Sequence, residues 1–285
     1  MRIFFTILAG LLGLAFGSFL NVCLSRWPAG ESVVTPRSHC RSCGRTLVWW
    51  ENVPLVSWLA LRGRCRTCGV WIGWRYPAVE LGVGALWGYA VWSGLNSQFL
   101  FFPELLVART IGNCVLFWLL LALAFLDAEH LWLPDRLTLT GIALGLANVI
   151  FPFILASRIF ITGHGFFYAS GMMLAGIAIP TLLVLLIRWT YKLIREREGM
   201  GLGDAKLMAM LGAWLGLSGA LLSFGIGILL GAVVGVVLLA RAGRGKLREG
   251  AAMKLPFGTF LCIGGIISAL WGQPLINAYL HLIGF

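Results

Sequence analysis

Phe125-Leu126-Asp127-Ala128-Glu129-His130-Leu131-Trp132-Leu133-Pro134-Asp135 is the stretch whose reading decides the fold. The apolar run from Leu119 to Leu126 stops at a single carboxylate, and Pro134 lets a new segment begin. Ionisable side chains at membrane depth are costly and are usually kept for function. A second boundary has the same form: in Gly199-Met200-Gly201-Leu202-Gly203-Asp204-Ala205-Lys206, bare glycine backbone leads to a carboxylate at the edge of another apolar run. Glycine there leaves the backbone open to close approach by a peptide. Asp127 and Asp204 are therefore the candidate catalytic pair.

The apolar runs extend over the whole chain. Of its 285 residues 59% are hydrophobic and 12% charged, and mean hydropathy is +0.90. A soluble globule carries about 25% charged residues, so the composition predicts an all-α polytopic membrane protein. Cutting at charged and Pro-containing breaks gives about eight expected spans, near 3–24, 79–95, 108–126, 137–156, 169–189, 205–217, 219–240 and 257–280. The sixth is short and Gly-rich. Arg2 ahead of the first run resembles the start of a signal peptide, but the run is too long for one and ends in Leu24-Ser25-Arg26-Trp27-Pro28 rather than a small-residue cleavage site. It is read as a retained helix, which divides the chain into a first span (1–24), a polar insertion (25–78) and a membrane domain (79–285).

A net charge of +11 raises nucleic acid as a partner, but the charges are placed by another rule. All of the 22 basic residues except Arg2, Arg109 and Arg158 fall in alternate loops. Such asymmetry sets membrane orientation. It puts the insertion and both aspartates at the cytosolic face, with both termini outside. The partner it implies is the lipid bilayer, not nucleic acid.

Within the insertion, Cys40-Arg41-Ser42-Cys43 and Cys65-Arg66-Thr67-Cys68 form a C-x2-C-x21-C-x2-C pattern, with Gly44 and Gly69 directly after the pairs. Each pair offers two thiolates to one tetrahedral metal. In a reducing cytosol, structural Zn2+ is favoured over disulfides, and Arg41, Arg45, Arg64 and Arg66 stand where they can offset the thiolate charge. His39 is adjacent, but four sulfurs already complete a coordination shell. Cys23, Cys114 and Cys262 lie inside apolar runs and are expected to pack as small hydrophobes.

The acids have plainer readings as well. Glu129 and Asp135 suit a solvated turn, with Asp135 capping the next helix, and Asp204 suits an N-cap for a helix beginning at Ala205, with Lys206 as a surface anchor. Asp127, closing an apolar run, is expected to face the helix bundle. As a pair, two carboxylates that share a proton divide their titration, so one can activate a water while the other polarises a carbonyl.

The chain resembles the type IV prepilin peptidases, the bifunctional leader peptidase and N-methyltransferase family of GxGD aspartyl proteases. The resemblance rests on Gly17 to Val22, Pro36 to Cys40, Trp50 to Trp58, Arg62 to Cys65, Arg75 to Glu80, Asp127 to Thr138 and Gly199 to Gly212. It continues in Pro256-Phe257-Gly258-Thr259-Phe260, where Thr259 stands in place of the family's Pro. The resemblance implies that Asp127 and Asp204 are catalytic. It implies cleavage of the basic leader of prepilins and pseudopilins after Gly, then methylation of the new N-terminus from S-adenosylmethionine, in a bacterial cytoplasmic membrane.

No Gly-rich nucleotide turn marks a place for S-adenosylmethionine. Asn21 and Glu80, polar groups at membrane boundaries in the matching segments, are the candidate cofactor residues. Their plainer readings are a helix–helix hydrogen bond for Asn21 and a snorkelling charge for Glu80. The competing class is a transporter or sensor with intramembrane carboxylates and a regulatory zinc ribbon, whose acids would be expected near the bilayer midplane.

Overall fold

The computed structural model describes residues 1–96, 103–160, 163–196, 200–246 and 255–284, with side chains withheld for 152–160, 163–169 and 242–246. Gly199, Arg197, Arg248 and Lys254 lie outside the described residues. The protein is all-α among the described residues: α1 (Arg2–Arg26), α2 (Val56–Ala60), α3 (Arg75–Leu95), α4 (Pro103–His130), α5 (Asp135–Phe160), α6 (Gly163–Arg195), α7 (Leu202–Lys246) and α8 (Phe257–Leu282). Two compact units divide the chain, Met1–Ala122 and Leu123–Phe285, the boundary falling inside α4.

Five helical segments among the described residues are long and apolar enough to cross a membrane: Arg2–Ala29, Pro103–His130, Ser170–Arg195, Leu202–Arg241 and Phe257–Leu282. α3 occupies the second expected span but falls outside that set. In α3, Arg75, Glu80 and four Trp or Tyr rings dilute the aliphatic content. The outward faces are greasy: Ile3, Phe4, Ile7, Leu11, Leu182, Leu186, Leu229, Val233 and Val236 are all exposed. A row of that kind suits lipid rather than water.

The expected sixth and seventh spans form one helix, α7. Forty-five residues would reach about 68 Å at ~1.5 Å per residue, twice the ~30 Å of a bilayer core. Gly216, at φ +67°, stands where the two expected spans meet, and only glycine adopts that conformation without strain. The break is therefore a left-handed residue inside a helix and not a polar loop, which is why a hydropathy cut placed it there without seeing the continuity.

In the first unit α1 packs on α3. The contact is close because Gly17 lacks a side chain: a Cβ there would stand 2.7 Å from the Cα of Glu80. Small residues permit this backbone approach, and in lipid the resulting van der Waals contact is a main source of helix association. Polar bonds tie the same elements, with Asn21 Nδ2 donating to the carbonyl of Tyr76 at 3.0 Å and Trp87 Nε1 to that of Cys114 at 2.9 Å.

The insertion between α1 and α3 holds two isolated bridges, His39 with Thr46 and Arg64 with Trp71. Its apolar content is a cluster of Trp58, Trp71 and Trp74, with ring centroids 4.6 to 5.8 Å apart. Arg26, buried at the end of α1, donates to the carbonyls of Ser32 at 2.7 Å and Pro36 at 2.6 Å. Arg45 pairs with Glu51 at 2.5 Å, and Glu51 also accepts the Val48 N–H. Desolvation works against the Glu51 charge, but these partners outweigh it and hold the carboxyl below its ordinary range.

In the second unit α7 is central, packed by α5, α6 and α8. Its first half is largely buried, with Leu207, Met208, Met210 and Leu211 fully covered. Trp214 Nε1 donates to the Gly141 carbonyl on α5 at 2.8 Å, and Ser268 of α8 donates to that of Gly219 at 2.9 Å.

Candidate active site

Asp127 lies in the last turn of α4 and Asp204 in the first turn of α7. Both are nearly covered, at 6% and 7% exposure. Leu131, at φ +50°, closes α4 by donating its N–H to the Asp127 carbonyl at 2.9 Å, and the chain turns through Pro134 into α5. α7 begins at Leu202, ahead of the expected Ala205, so Asp204 is not its N-cap. Its Oδ2 reaches back to accept the N–H of Gly201 at 3.1 Å, the return arm of a capping box, which satisfies a helix-start donor and aims the carboxylate.

α8 supplies the partners of Asp127. The Thr259 N–H donates to Asp127 Oδ2 at 2.7 Å, and its hydroxyl lies 3.2 Å from the same oxygen and 3.0 Å from the Ala124 carbonyl. Gly258 makes the approach possible, because a Cβ there would stand 3.0 Å from Asp127 Oδ2 and 2.9 Å from Leu133 Cδ1. Leu133 also presses on Gly203, whose Cβ would meet it at 3.0 Å. One leucine side chain thus bridges the residue before Asp204 and the residue before Thr259. The fully buried Cys262 lies a turn beyond Gly258 on α8.

The remaining acids separate from this pair. Glu129 is exposed. Asp135 does not act as the expected cap: it is the first residue of α5, and its carboxylate takes Lys206 Nζ at 2.6 Å. Lys206 is accordingly an ion-pair partner and not a free surface anchor.

Thr259 is the residue that sequence reading undervalued. A departure from the family's Pro signals only a missing ring, whereas the fold turns it into two donors that Pro lacks. Thr259→Val, which keeps the N–H and removes the hydroxyl, is expected to lower the turnover of any reaction carried by Asp127 about ten-fold, the scale of one hydrogen bond to a charged group, with Thr259→Ser restoring it. Equal activity in the Val variant would remove the hydroxyl from the site.

The four cysteines form a second centre. Their sulfurs all lie within 4.8 Å of one another, and Cys40 Sγ is 3.8 Å from Cys68 Sγ, matching the ~3.8 Å edge of a tetrahedron with ~2.3 Å metal–sulfur bonds. The knuckles are built alike. Cys40 N–H donates to Arg45 O and Gly44 N–H to Cys40 O, as Cys65 N–H does to Val70 O and Gly69 N–H to Cys65 O, each at 2.9 Å. The backbone N–H groups of Cys68 and Thr67 draw the Cys65 thiol down to about 6. The Arg45 N–H favours a thiolate at Cys43 as well, but desolvation and the three neighbouring sulfurs outweigh it and push that thiol up to about 11. Four crowded sulfurs resist ionising together unless a cation sits among them, so the donor set fits a metal ion. Of the expected offsetting arginines, Arg45 is engaged with Glu51 and Arg66 lies over the Trp50 ring at 5.3 Å.

Asn21 and Glu80 are both buried in the first unit. The expected helix–helix bond of Asn21 is present through its Nδ2, while its Oδ1 has no hydrogen-bond partner. Glu80 is no snorkelling charge: it is 7% exposed and accepts the N–H of Leu55 at 2.8 Å. Leu55 itself is held at φ +58°.

With helices, carboxylates and cysteines so arranged, relatives can be compared. Residues 11–94 match the family model of the bacterial peptidase A24 N-terminal domain, and residues 114–236 that of the type IV leader peptidase family. A prepilin leader peptidase/N-methyltransferase of Pseudomonas aeruginosa is 36% identical over 301 residues, covering 96% of this chain and 93% of its own length. The protein of the same name from Pseudomonas putida is 35% identical, covering 99% and 96%, and that from Myxococcus xanthus is 39% identical, covering 89% and 69%. The chain belongs to the type IV leader peptidase family. No solved structure matches it.

Proposed function

We propose that this protein is a membrane-embedded aspartyl endopeptidase of the bacterial inner membrane. It removes the basic leader of type IV prepilins and pseudopilins after Gly and then N-methylates the new N-terminal residue. The observation that carries the first half is the pair itself: two buried carboxylates at helix ends, linked by the Leu133 side chain, which meets both Gly203 and Gly258. One carboxylate takes a proton from the attacking water while the other, protonated, donates to the scissile carbonyl oxygen. Gly201 and Thr259 hold the two groups in place through the bonds described. A transporter reading is less well supported, because both acids stand at helix ends and not mid-helix.

The orientation read from the basic loops puts the aspartates and the insertion at the cytosolic face, with both termini outside. Residues 1–24, 25–78 and 79–285 then act as an anchoring span, a metal-binding insertion and the peptidase domain. Cys40, Cys43, Cys65 and Cys68 hold one structural Zn2+, closed to substrate because four sulfurs leave no open position. The methyl donor is S-adenosylmethionine, with Asn21 and Glu80 as its binding residues.

Incubating purified protein with a prepilin, with and without S-adenosylmethionine, and reading the product's N-terminus by mass spectrometry tests both halves. The expected product begins after the leader Gly and gains one methyl group only when the donor is supplied. An intact prepilin would overturn the peptidase reading, and a shortened but unmethylated one the methyltransferase reading.

A further inference from the structure

Hydrolysis by two carboxylates requires the scissile carbonyl to sit within hydrogen-bond reach of one while the attacking water lies within reach of the other. That carbonyl belongs to the residue before the cut. Its Cα is bonded to the reacting carbon, and any Cβ it carries is the next atom out. The groups that line Asp127 and Asp204 therefore decide whether this residue can have a side chain.

Both acids are flanked by bare backbone and by one leucine. Gly203 precedes Asp204, the Gly201 N–H donates to it, and Gly258 precedes the Thr259 N–H that holds Asp127. Leu133 fills the room that two of these glycines leave. A Cβ on Gly258 would stand 2.9 Å from Leu133 Cδ1 and 3.0 Å from Asp127 Oδ2, and a Cβ on Gly203 would stand 3.2 Å from the same Cδ1. The leucine methyl and the Asp127 carboxylate thus close on one point. Leu126 and Leu207 nearby in sequence to the acids are fully covered, as packing residues are, but Leu133 is only half-buried. Part of its surface remains open beside the pair.

Leu133 is also held from behind. The proline after it restricts its backbone to extended conformations. Pro134 is buried, and its carbonyl accepts the N–H groups of Leu137 at 3.0 Å and Thr138 at 3.2 Å. Asp135, next in the chain, is tied to Lys206 in the first turns of α7 at 2.6 Å. Moving the leucine aside would disturb these bonds.

We propose that Leu133 is the residue that selects glycine before the cut, an inference that rests on the peptidase half of the proposed function. Glycines on the enzyme let the substrate backbone come down to the carboxylates, and the Leu133 methyl takes the space into which a substrate Cβ would point. Selection is by exclusion. A glycine places nothing there, whereas an added methyl meets a filled and firmly backed space, and overpacking of that kind is costly. A wall of this sort discriminates against one carbon by roughly 10- to 200-fold.

The test uses detergent-purified full-length protein and two prepilins that differ only in Gly or Ala before the cut, with kcat/KM measured for each and the cut bond fixed by mass spectrometry. The wild type is expected to prefer Gly by about ten-fold or more. Leu133→Ala opens the wall and is expected to raise the Ala-to-Gly ratio about ten-fold, through faster cleavage of the Ala substrate, and Leu133→Val to raise it by less. A residue that merely supported the acids would slow both substrates alike and leave the ratio where it was. An unchanged ratio in the two variants, or loss of both cleavages in both of them, therefore overturns the inference and leaves the peptidase reading intact. A wild type that cuts neither prepilin overturns that reading itself, and one that cuts both equally removes the selectivity assigned to Leu133.

Discussion

Asp127→Asn and Asp204→Asn are each expected to abolish leader cleavage, with a loss of at least about 100-fold and no change in membrane insertion. Each substitution keeps the shape of the side chain. What it removes is ionisation, and a pair that divides acid and base roles cannot be reduced to one member. The losses are also expected not to add: the double variant should be about as inactive as either single variant, because residues acting as a unit are strongly non-additive. Asp135→Asn provides the contrast. Its carboxylate meets Lys206 at 2.6 Å with 61% of the side chain exposed, and exposed ion pairs contribute about 1 kcal/mol or less. It should retain most of the activity. Leader removal at near-normal rates by either of the first two variants, followed directly on a purified prepilin, would sink the assignment of the pair.

Replacing Cys40 or Cys65 by Ser is expected to remove the metal and unfold the insertion between α1 and α3. About one Zn2+ per chain should be found by elemental analysis in the wild type and almost none in the variants. The reason is the thinness of everything else there. The described insertion has two isolated bridges, a five-residue helix and one tryptophan cluster, and segments of this size generally need a staple. Protease nicking between residues 27 and 74 should follow metal loss. A wild-type protein free of zinc, or variants as protease-resistant as the wild type, would show that the cysteines are not the staple.

The long helices were legible because lipid imposes a one-dimensional rule: a span must be apolar over its whole length, and α1, α4, α6 and α8 meet it segment by segment. The rule has no term for a left-handed glycine, so it marked two spans within α7 without showing that Gly216, at positive φ, stands where they meet. The cysteine pairs were legible for a similar reason, since each knuckle is a local turn and its ligand spacing is written in consecutive residues. Asp127 and Asp204 stood out singly through their cost in an apolar setting. Their partners did not, because Thr259 lies 132 residues from Asp127, and nothing local to Pro256-Phe257-Gly258-Thr259 indicates which carboxylate it serves.

The sequence by itself determined the class of protein, the positions at which helices meet polar segments, the two cysteine pairs that the fold brings together and the two candidate acids, because each of these depends on hydropathy or on spacing within a few residues. Only the tertiary structure decided that Asp204 is aimed by the Gly201 N–H, that Asp135 belongs to Lys206, that Glu80 is buried against Leu55, and that Asn21 and Glu80 line one cavity with the insertion. Those outcomes depend on which backbones approach closely enough for a carboxylate to find a donor, and that is set by packing between helices whose contacting residues are remote in the chain.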